Sequence, residues 1–271
     1  MPMRAHPTEI GAGPGASIEL PGSVRRTRRD SLVIIPTYNE VENLGLLASM
    51  VFTNGPFDVL VVDDNSPDGT GAVADKLARR SRGRLAVLHR PSKLGLGTAY
   101  TNGFRYALHA GYDRIFQMDA DFSHDPAVLP KLHKALDEVE VVLGSRYVSG
   151  GGTRNWSPWR QALSQAGSLY ASLILGLPYH DLTGGFKGFR REALQSLDLD
   201  AIRSNGYAFQ IEVTYRLHRQ GFHIVEIPII FEERRVGQSK MSMRIVMEAL
   251  LVAWELRFSP SRRGEALPWP R

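Results

Sequence analysis

The sequence contains no cysteine among its 271 residues. This absence excludes disulfide scaffolds, thiol catalysis, cysteine-ligated zinc sites and iron–sulfur clusters. The chain also lacks the roughly 18 consecutive apolar residues of a membrane-spanning helix. No apolar stretch of about 7–15 residues follows its first basic residues, as a secretory signal peptide would require. We therefore expect neither a transmembrane helix nor a signal peptide.

Excess charge of one sign is scarce in the body of the chain, although the net charge is +5. Residues 1–30 contribute +2 and residues 259–271 another +2, which leaves only +1 for the body. Both ends are rich in proline and glycine and lack apolar periodicity. We therefore expect a disordered basic tail, a single folded domain over residues 31–258 and a flexible tail. Nucleic-acid-binding domains typically carry their basic residues on the folded body, so this distribution argues against nucleic acid as a partner.

Short apolar runs recur along the body, and their starts are 25 to 29 residues apart. Apolar residues at helical spacing lie between them, separated by Gly, Pro, Asn and Asp. Strands rich in Val, Ile and Leu that alternate with helices predict an α/β fold, with a Rossmann-like, mostly parallel sheet covered by helices on both faces. In such sheets, ligands bind beyond the carboxyl ends of the strands. The predicted strands are residues 32–35, 59–62, 85–88, 114–118 and 139–143.

The first predicted strand is followed by Pro36-Thr-Tyr-Asn-Glu40, a turn without glycine. A dinucleotide-binding fold would have the pattern GxGxxG here, because its backbone must approach a pyrophosphate. The turn therefore argues against an NAD-binding protein. Asn39 is expected to cap the next helix, which leaves Tyr38 and Glu40 unexplained by local structure.

Two adjacent carboxylates, Asp63 and Asp64, follow the second predicted strand. Ser66 or Asp68 in the same turn could simply cap the next helix. However, two carboxylates that leave a buried strand are costly unless they accept hydrogen bonds or meet a cation. The base or ribose of a nucleotide could donate those hydrogen bonds. Both interpretations stay open at this point.

The fourth predicted strand leads into a DxD motif formed by Asp119 and Asp121. The His-Asp-Pro sequence at residues 124–126 ends the strand in a turn, where both carboxylates can bind one ion. Carboxylate oxygens favour Mg²⁺ or Mn²⁺, with diphosphate oxygens and water completing the shell. A purely structural role for the motif is the alternative, and His124 is expected to pack rather than to ligate.

Taken in order, the motifs PTYNE, VVDDNSPDGT, MDADFSHDP and GSRY resemble those of the inverting glycosyltransferases of family 2, which have the A-type glycosyltransferase fold. Three later motifs narrow the resemblance to the polyprenol-phosphate (dolichol-phosphate) mannose synthases. They are DLTGGFKGFR from Asp181, GYAFQIE from Gly206 and ERRVGQSK from Glu233. The resemblance covers about residues 31–257 and implies that residues 31–258 are one catalytic domain.

The resemblance implies three groups of site residues, all of which contribute to binding the nucleotide sugar or the phosphates. The contacts to guanosine and ribose would be Pro36, Tyr38, Glu40, Val62 and Asp64. The metal contacts would be Asp119 and Asp121, with the backbone of Ala120 beside them. Archaeal relatives carry a glutamine as a further metal ligand two residues beyond the motif, and this chain has Ser123 at that position. The basic residues that handle phosphate, and that act in catalysis together with Asp121, would be Arg146, Arg160, Arg234 and Lys240.

The implied reaction moves mannose from GDP-mannose to a polyprenyl monophosphate with inversion, and gives β-linked polyprenyl-phosphate mannose and GDP. The acceptor phosphate has a second pKa of about 6, so its oxygen is already anionic at neutral pH and needs no general base. Mg²⁺ or Mn²⁺ and the basic residues would neutralise the departing diphosphate. Two alternatives remain open: a glucosyltransferase that uses UDP-glucose, and a non-catalytic module that binds anionic membranes.

A lipid acceptor also requires contact with a membrane surface. Residues 160–176 and 242–258 both have helical patterns, and we expect interfacial amphipathic helices there. In residues 242–258 the charged residues form one narrow polar stripe on an otherwise apolar helix, which predicts burial in the core, at a bilayer surface or against a membrane partner. Some members of the family continue into transmembrane helices, whereas others rely on a separate membrane-anchoring subunit. This chain resembles the second kind and is expected to act peripherally, on the cytoplasmic face of a membrane.

Overall fold

The computed structural model describes residues 30–233 and 243–258 of the chain. A seven-stranded sheet forms the centre of this part, and a separate two-stranded parallel sheet accompanies it. The strands in the described part are β1 (Ser31–Thr37), β2 (Phe57–Asp63), β3 (Leu85–His89), β4 (Arg114–Gln117), β5 (Val141–Ser145), β6 (Gly152–Arg154), β7 (Lys187–Arg190), β8 (Ile224–Pro228) and β9 (Ile230–Glu232). Strands β6 and β9 form the small sheet.

The strands of the large sheet follow the order β3-β2-β1-β4-β7-β5-β8. Neighbouring strands are parallel except at β7, which runs antiparallel to both β4 and β5. The five predicted apolar runs form β1 to β5, with bounds that differ by no more than two residues. The predicted, mostly parallel sheet is therefore confirmed. Strand β7 was not among the predicted strands.

Helices connect the strands along the chain. Those within the described residues are α1 (Leu44–Thr53), α2 (Thr70–Arg80), α3 (Leu96–Ala110), α4 (Leu129–Ala135), α5 (Pro158–Leu175), α6 (Arg191–Gln195), α7 (Gly206–Arg219) and α8 (Met243–Phe258), with a single 3₁₀ turn at Pro126–Val128. Helices α5 and α8 confirm the helical patterns predicted for residues 160–176 and 242–258.

Strand β1 shows why helices cover both faces of the sheet. Successive side chains of a strand point to opposite faces, and β1 is apolar at four consecutive positions. Leu32 and Ile34 pack in one layer with residues of α3 and α7, whereas Val33 and Ile35 pack in a second layer with residues of α1 and α4. All four side chains are at most 1% exposed. The predicted cover on both faces is thus confirmed, and it leaves the strand ends as the place for polar groups.

The prediction that Asn39 caps the first helix is wrong. Helix α1 begins at Leu44, and Asn43 is the residue that precedes it. Backbone N–H groups of Asn43 and Leu44 donate to the carbonyl oxygen of Glu40, at 3.1 and 3.0 Å, so a hydrogen-bonded turn separates Asn39 from the helix. Asn39 itself has a left-handed backbone with a φ of 62°.

Some predictions fall outside the described residues. These are the two tails, apart from Asp30, and the basic residues Arg234 and Lys240. Within the ranges 30–233 and 243–258, every helix is too short or too polar to cross a membrane.

Candidate active site

The polar turns predicted to bind ligand meet at one edge of the sheet, because β1, β2, β4 and β5 all end there. Thr37 and Asp63 are register partners at the ends of β1 and β2. The Thr37 hydroxyl donates to Asp63 Oδ1 at 3.0 Å, and the backbone N–H of Asp64 donates to the Thr37 carbonyl at 3.1 Å. The first two turns are therefore joined at their base.

The turn after β1 is held by side chains of the turn after β2. The backbone N–H groups of residues 39, 40 and 41 donate in order to Ser66 Oγ at 3.1 Å, Thr70 Oγ1 at 2.9 Å and Asp68 Oδ2 at 3.1 Å. Asp68 Oδ1 also accepts from the backbone N–H of Thr70, the first residue of α2, although the N-cap residue of this helix is Gly69 rather than Asp68 or Ser66. These contacts fix the backbone that carries Tyr38 and Glu40.

The two adjacent carboxylates have different surroundings. Asp63 is buried and accepts hydrogen bonds from Thr37 and from both the backbone N–H and the hydroxyl of Ser66. Asp64 lies 3.1 Å from Arg90 in a buried ion pair between Oδ1 and Nη1. Burial raises the pKa of Asp64, and the Arg90 guanidinium opposes that shift. Asp63 therefore stabilises the turn through its hydrogen bonds, whereas Asp64 forms an ion pair with the Arg90 guanidinium.

Arg90 is a site residue that the sequence reasoning missed. Its Nη1 donates to the Gly95 carbonyl at 3.3 Å and its Nη2 donates to Thr98 Oγ1 at 2.8 Å, so it ties Asp64 to the start of α3. Burial lowers the pKa of Arg90, and Asp64 opposes that effect. Its position in the sequence could have indicated this role, because Arg90 directly follows β3 and so lies at the same sheet edge as the other turns.

The DxD carboxylates lie in a tight turn after β4 and accept hydrogen bonds from α3 and from the turn itself. Asp119 Oδ1 accepts from the hydroxyl of Tyr100 at 3.0 Å. Asp121 is 3% exposed, and its Oδ1 accepts from the backbone N–H of Ser123 at 3.1 Å. Phe122, which follows Asp121, has a left-handed backbone with a φ of 62°. This conformation reverses the chain and ends the extended segment. The strand ends in a turn, as predicted.

His124 packs, as predicted, and its Nδ1 accepts a hydrogen bond from the backbone N–H of Asp119 at 3.1 Å. Because Nδ1 accepts this bond, it carries no proton, and burial lowers the pKa of His124. The Ser123 hydroxyl is buried and has no hydrogen-bond partner among the described residues. In the same ranges, no group of three or more His, Cys, Asp or Glu side chains could hold a metal ion. A cation here would therefore have two carboxylates and would need hydroxyl, phosphate or water oxygens.

Arg146 is buried rather than exposed, and it is paired with Asp181. Its Nε and Nη2 donate to the two carboxylate oxygens at 2.7 Å each, and Nη2 also donates to Thr183 Oγ1 at 2.8 Å. Burial alone would raise the pKa of Asp181, but the Arg146 guanidinium outweighs burial and holds that pKa below its usual range. The pair fixes the guanidinium at the end of β5.

Arg160 lies in the first turn of α5 against an aromatic ring. Its guanidinium is 4.2 Å from the centre of the Trp156 ring, and its Nη1 donates to Glu233 Oε1 at 2.7 Å. Two buried donors, Arg160 Nε and Trp156 Nε1, have no hydrogen-bond partner within the described residues. Unpaired buried donors beside a guanidinium are suited to an anionic ligand.

An aromatic cluster joins the DxD turn to the arginine end of the site. The His124 ring stacks on Phe186 at 4.9 Å and contacts Phe231 at 5.4 Å, and Trp156 contacts Phe231 at 5.2 Å between ring centres. The Arg146 guanidinium lies 5.4 Å from the Phe231 ring. The two ends therefore belong to one continuous site.

Lys187 on β7 is a second charged residue that the sequence reasoning missed. It is 1% exposed, and its ammonium donates to the Gln210 carbonyl at 2.7 Å and to Thr214 Oγ1 at 2.8 Å. Burial lowers the pKa of Lys187 to about 7, although Asp181 opposes the shift.

The structure groups the described site residues by strand end. The predicted nucleotide contacts lie at or just beyond the ends of β1 and β2, and they are Pro36, Tyr38, Glu40, Val62 and Asp64. Pro36 and Val62 are register partners. The residues that follow β4 are Asp119, Ala120, Asp121 and Ser123. Arg146 follows β5, and Arg160 lies in the first turn of α5.

Comparison with known proteins identifies the family. The profile of glycosyl transferase family 2 matches residues 32–198. The chain belongs to this family. It is 48% identical over 254 residues to polyprenol monophosphomannose synthase from Mycolicibacterium smegmatis, covering 92% of this chain and 93% of that one. It is 50% identical over 221 residues to undecaprenyl-phosphate mannosyltransferase from Micrococcus luteus, covering 81% of this chain and 90% of that one.

Two solved structures resemble the fold of the chain at low sequence identity. Glucosyl-3-phosphoglycerate synthase from Mycobacterium tuberculosis, in complex with Mn²⁺, UDP and glucosyl-3-phosphoglycerate, gives a TM-score of 0.58 at 19% identity and covers 84% of this chain and 80% of that one. A mannosyltransferase from Pyrobaculum calidifontis, in complex with GDP-Man and Mn²⁺, gives 0.55 at 18% identity and covers 86% and 71%. These similarities confirm the predicted A-type glycosyltransferase fold.

Proposed function

We propose that this family 2 enzyme transfers mannose from GDP-mannose to a polyprenyl monophosphate with inversion. The observation that carries the proposal is the order of groups along one sheet edge. The turns with Tyr38 and Asp64 come first, and the DxD carboxylates come next. The buried Arg146 and the unpaired donors of Arg160 and Trp156 follow. The names of two relatives about half identical to this chain support mannose as the sugar and a polyprenyl phosphate as the acceptor.

The nucleotide end would be formed by Pro36, Tyr38, Glu40, Val62 and Asp64, which hold the guanosine and ribose. The hydrogen bonds from residues 39–41 to the second turn preorganise this end. Arg90 fixes the Asp64 side chain through their buried ion pair. A rigid binding end places the sugar against the acceptor, which is the main requirement of an in-line displacement.

The DxD turn fits a divalent cation, Mg²⁺ or Mn²⁺. Asp119 and Asp121 offer carboxylate oxygens, and the unpaired Ser123 hydroxyl adjoins them in the same turn. Hard oxygen donors of this kind suit both ions. A bound cation would neutralise charge on the diphosphate of the donor. The two similar solved structures each contain Mn²⁺ with a nucleotide or nucleotide sugar.

The acceptor phosphate would bind at the arginine end. Arg160 Nε and Trp156 Nε1 offer buried donors, and Arg146 is held in place by Asp181. Arg234 and Lys240, which lie outside the described residues, would complete this cationic end. Because the acceptor oxygen is already anionic, these residues orient it and reduce its repulsion from the donor diphosphate.

A membrane-facing surface would lead the lipid to this end. Helices α5 and α8 pack on each other, with Trp254 Nε1 donating to the Tyr170 hydroxyl. Large apolar side chains on both helices are exposed, including Leu169 at 57%, Leu173 at 71% and Phe258 at 70%. We therefore propose that α5 and α8 are the interfacial helices, that the enzyme acts at the cytoplasmic face, and that a separate subunit can anchor it.

A donor panel tests the function. GDP-mannose, UDP-glucose and UDP-GlcNAc are each incubated with a short polyprenyl phosphate, with EDTA or with added Mg²⁺ or Mn²⁺. We expect turnover with GDP-mannose alone, its loss in EDTA and its recovery with either ion. Turnover of UDP-glucose alone would make the enzyme a glucosyltransferase, and full turnover in EDTA would remove the cation. Absence of turnover with all donors, together with vesicle binding that requires the basic tails, would instead support a non-catalytic membrane-binding module.

A further inference from the structure

We infer that Tyr100 is a positioning residue that holds the Asp119 carboxylate in the orientation needed for cation binding. The Tyr100 hydroxyl donates to Asp119 Oδ1 at 3.0 Å. Tyr100 is on α3, far in sequence from the DxD motif, and it belongs to none of the motifs that suggested the function. This inference rests on the proposed function, because it requires a cation at Asp119 and Asp121.

The Tyr100 ring cannot move easily. It is 0% exposed, and it stacks on Phe209 at 5.9 Å and on Phe104 at 6.4 Å between ring centres. Helix α3 is itself pressed against the sheet, since a Cβ added to Gly103 would lie 2.6 Å from Ile34 Cγ2. The hydroxyl is therefore presented to Asp119 from a rigid support.

Asp119 is held from two directions. Its backbone N–H donates to His124 Nδ1, and its Oδ1 accepts from Tyr100. Its other oxygen, Oδ2, takes no part in the Tyr100 bond. Both oxygens lie beside Gly185, where an added Cβ would be 3.5 Å from Oδ2 and 3.6 Å from Oδ1. One carboxylate oxygen is thus used for orientation, which assigns the other to the cation.

A neutral donor is well suited to this task. The hydroxyl adds no positive charge, so the full negative charge of Asp119 remains available to a cation. Without the bond, the carboxylate of Asp119 could rotate among its rotamers and would lose that freedom only on binding. Partners of this kind behind a metal-binding side chain typically change metal affinity about 10–100-fold.

The test is direct Mn²⁺ binding by Tyr100→Phe in the presence of saturating GDP, followed by the EPR signal of free Mn²⁺. Tyr100→Phe keeps the stacked ring and removes only the hydroxyl. We expect a Kd for Mn²⁺ about 10–100-fold higher at unchanged stoichiometry, and turnover that returns toward the wild-type value at saturating Mn²⁺. Tyr112→Phe is the matched control, because buried Tyr112 donates to Asp58 Oδ2 at 2.9 Å at the opposite ends of the strands. Its Kd should equal that of the wild type.

Three results would overturn the inference. A wild-type Kd in Tyr100→Phe removes the positioning role, and fewer sites of unchanged affinity would mean that Tyr100 only supports the fold. Asp121→Asn separates this failure from that of the proposed function. If the wild type and Asp121→Asn bind Mn²⁺ equally, the cation site itself is wrong and both proposals fail. If Asp121→Asn loses binding and Tyr100→Phe does not, only the role of Tyr100 fails.

Discussion

Arg146 and Asp181 form a buried bidentate ion pair in which Nε and Nη2 of the arginine each donate to one carboxylate oxygen at 2.7 Å. The backbone N–H of Arg146 donates to the same carboxylate at 3.0 Å. A free phosphate-binding arginine would carry an uncompensated charge, whereas this one is largely neutralised by its partner. The pair therefore contributes a fixed donor geometry to the site rather than a large net charge.

Replacement of Asp181 by Asn should destabilise the protein strongly. The variant keeps the shape of the side chain but leaves the buried Arg146 charge uncompensated, and breaking a buried pair in this way costs about 3–5 kcal/mol. Urea denaturation at pH 7 measures the change. Asp200→Asn is the control, since Asp200 pairs with Arg105 but its side chain is 87% exposed. It should change stability by less than about 1 kcal/mol, and equal losses in both variants would contradict the argument.

Replacement of Arg160 by Ala should weaken acceptor binding selectively. Hydrogen bonds to charged groups contribute about 1.5–3 kcal/mol, so the KM for polyprenyl phosphate should rise about 10–100-fold. The KM for GDP-mannose should stay nearly constant, because Arg160 lies at the other end of the site. Arg154→Ala removes a neighbouring exposed arginine that pairs with Glu232, and it should leave both constants unchanged. A shift confined to the donor KM would place Arg160 elsewhere in the reaction.

Lys187 predicts a distinct dependence of stability on pH. Its pKa is lowered to about 7 by burial, whereas an unfolded lysine has a pKa of about 10.4. Between these values the unfolded state binds the extra proton, so the free energy of unfolding rises with pH by up to about 1.4 kcal/mol per unit. Lys187→Met removes this contribution and should show a flatter profile from pH 7 to 10. Lys131→Met, at the surface, should keep the wild-type slope, and an unchanged slope in Lys187→Met would refute the prediction.

The membrane-facing surface can be tested on α5. Leu169→Glu combined with Leu173→Glu replaces two exposed leucines one helical turn apart. Each buried leucine contributes about 1.5–3 kcal/mol, so binding to vesicles of phosphatidylglycerol and phosphatidylethanolamine should fall by at least about 100-fold. Turnover of a short, water-soluble acceptor should persist. The control is Leu46→Glu, on α1, where the leucine is 53% exposed. In a flotation assay this variant should bind vesicles like the wild type. If the double variant also binds like the wild type, α5 is not part of the membrane-facing surface.

The sequence was sufficient to predict most of the sheet and the position of the DxD motif. Strands β1 to β5 are continuous apolar runs because both faces of the sheet are covered, and that pattern is visible without any knowledge of contacts. The carboxyl ends of parallel strands share one edge, so Asp64 and Asp119 could be placed together before the structure was known.

Strand β7 and its lysine could not be predicted in the same way. Its four residues, Lys187 to Arg190, contain one large apolar side chain, and a lysine ordinarily indicates a surface position. The strand is buried only because it is inserted between β4 and β5, through pairings that are distant in sequence. The partner of Arg146 could not be predicted either, since Asp181 lies 35 residues away in the sequence and contacts Arg146 only in the folded chain.

The insertion of β7 also determines the order in which the protein can assemble during synthesis. In the described structure β5 pairs with β7 and β8, and both are made after it. Proteins emerge from the ribosome amino-terminus first, so β1 to β4 can join while β5 still lacks a neighbour. A nascent chain stalled between residues 145 and 187 would expose an apolar strand with open edges, which favours aggregation. Synthesis thus completes the half with Asp64 and Asp119 first and the half with Arg146 and Asp181 last.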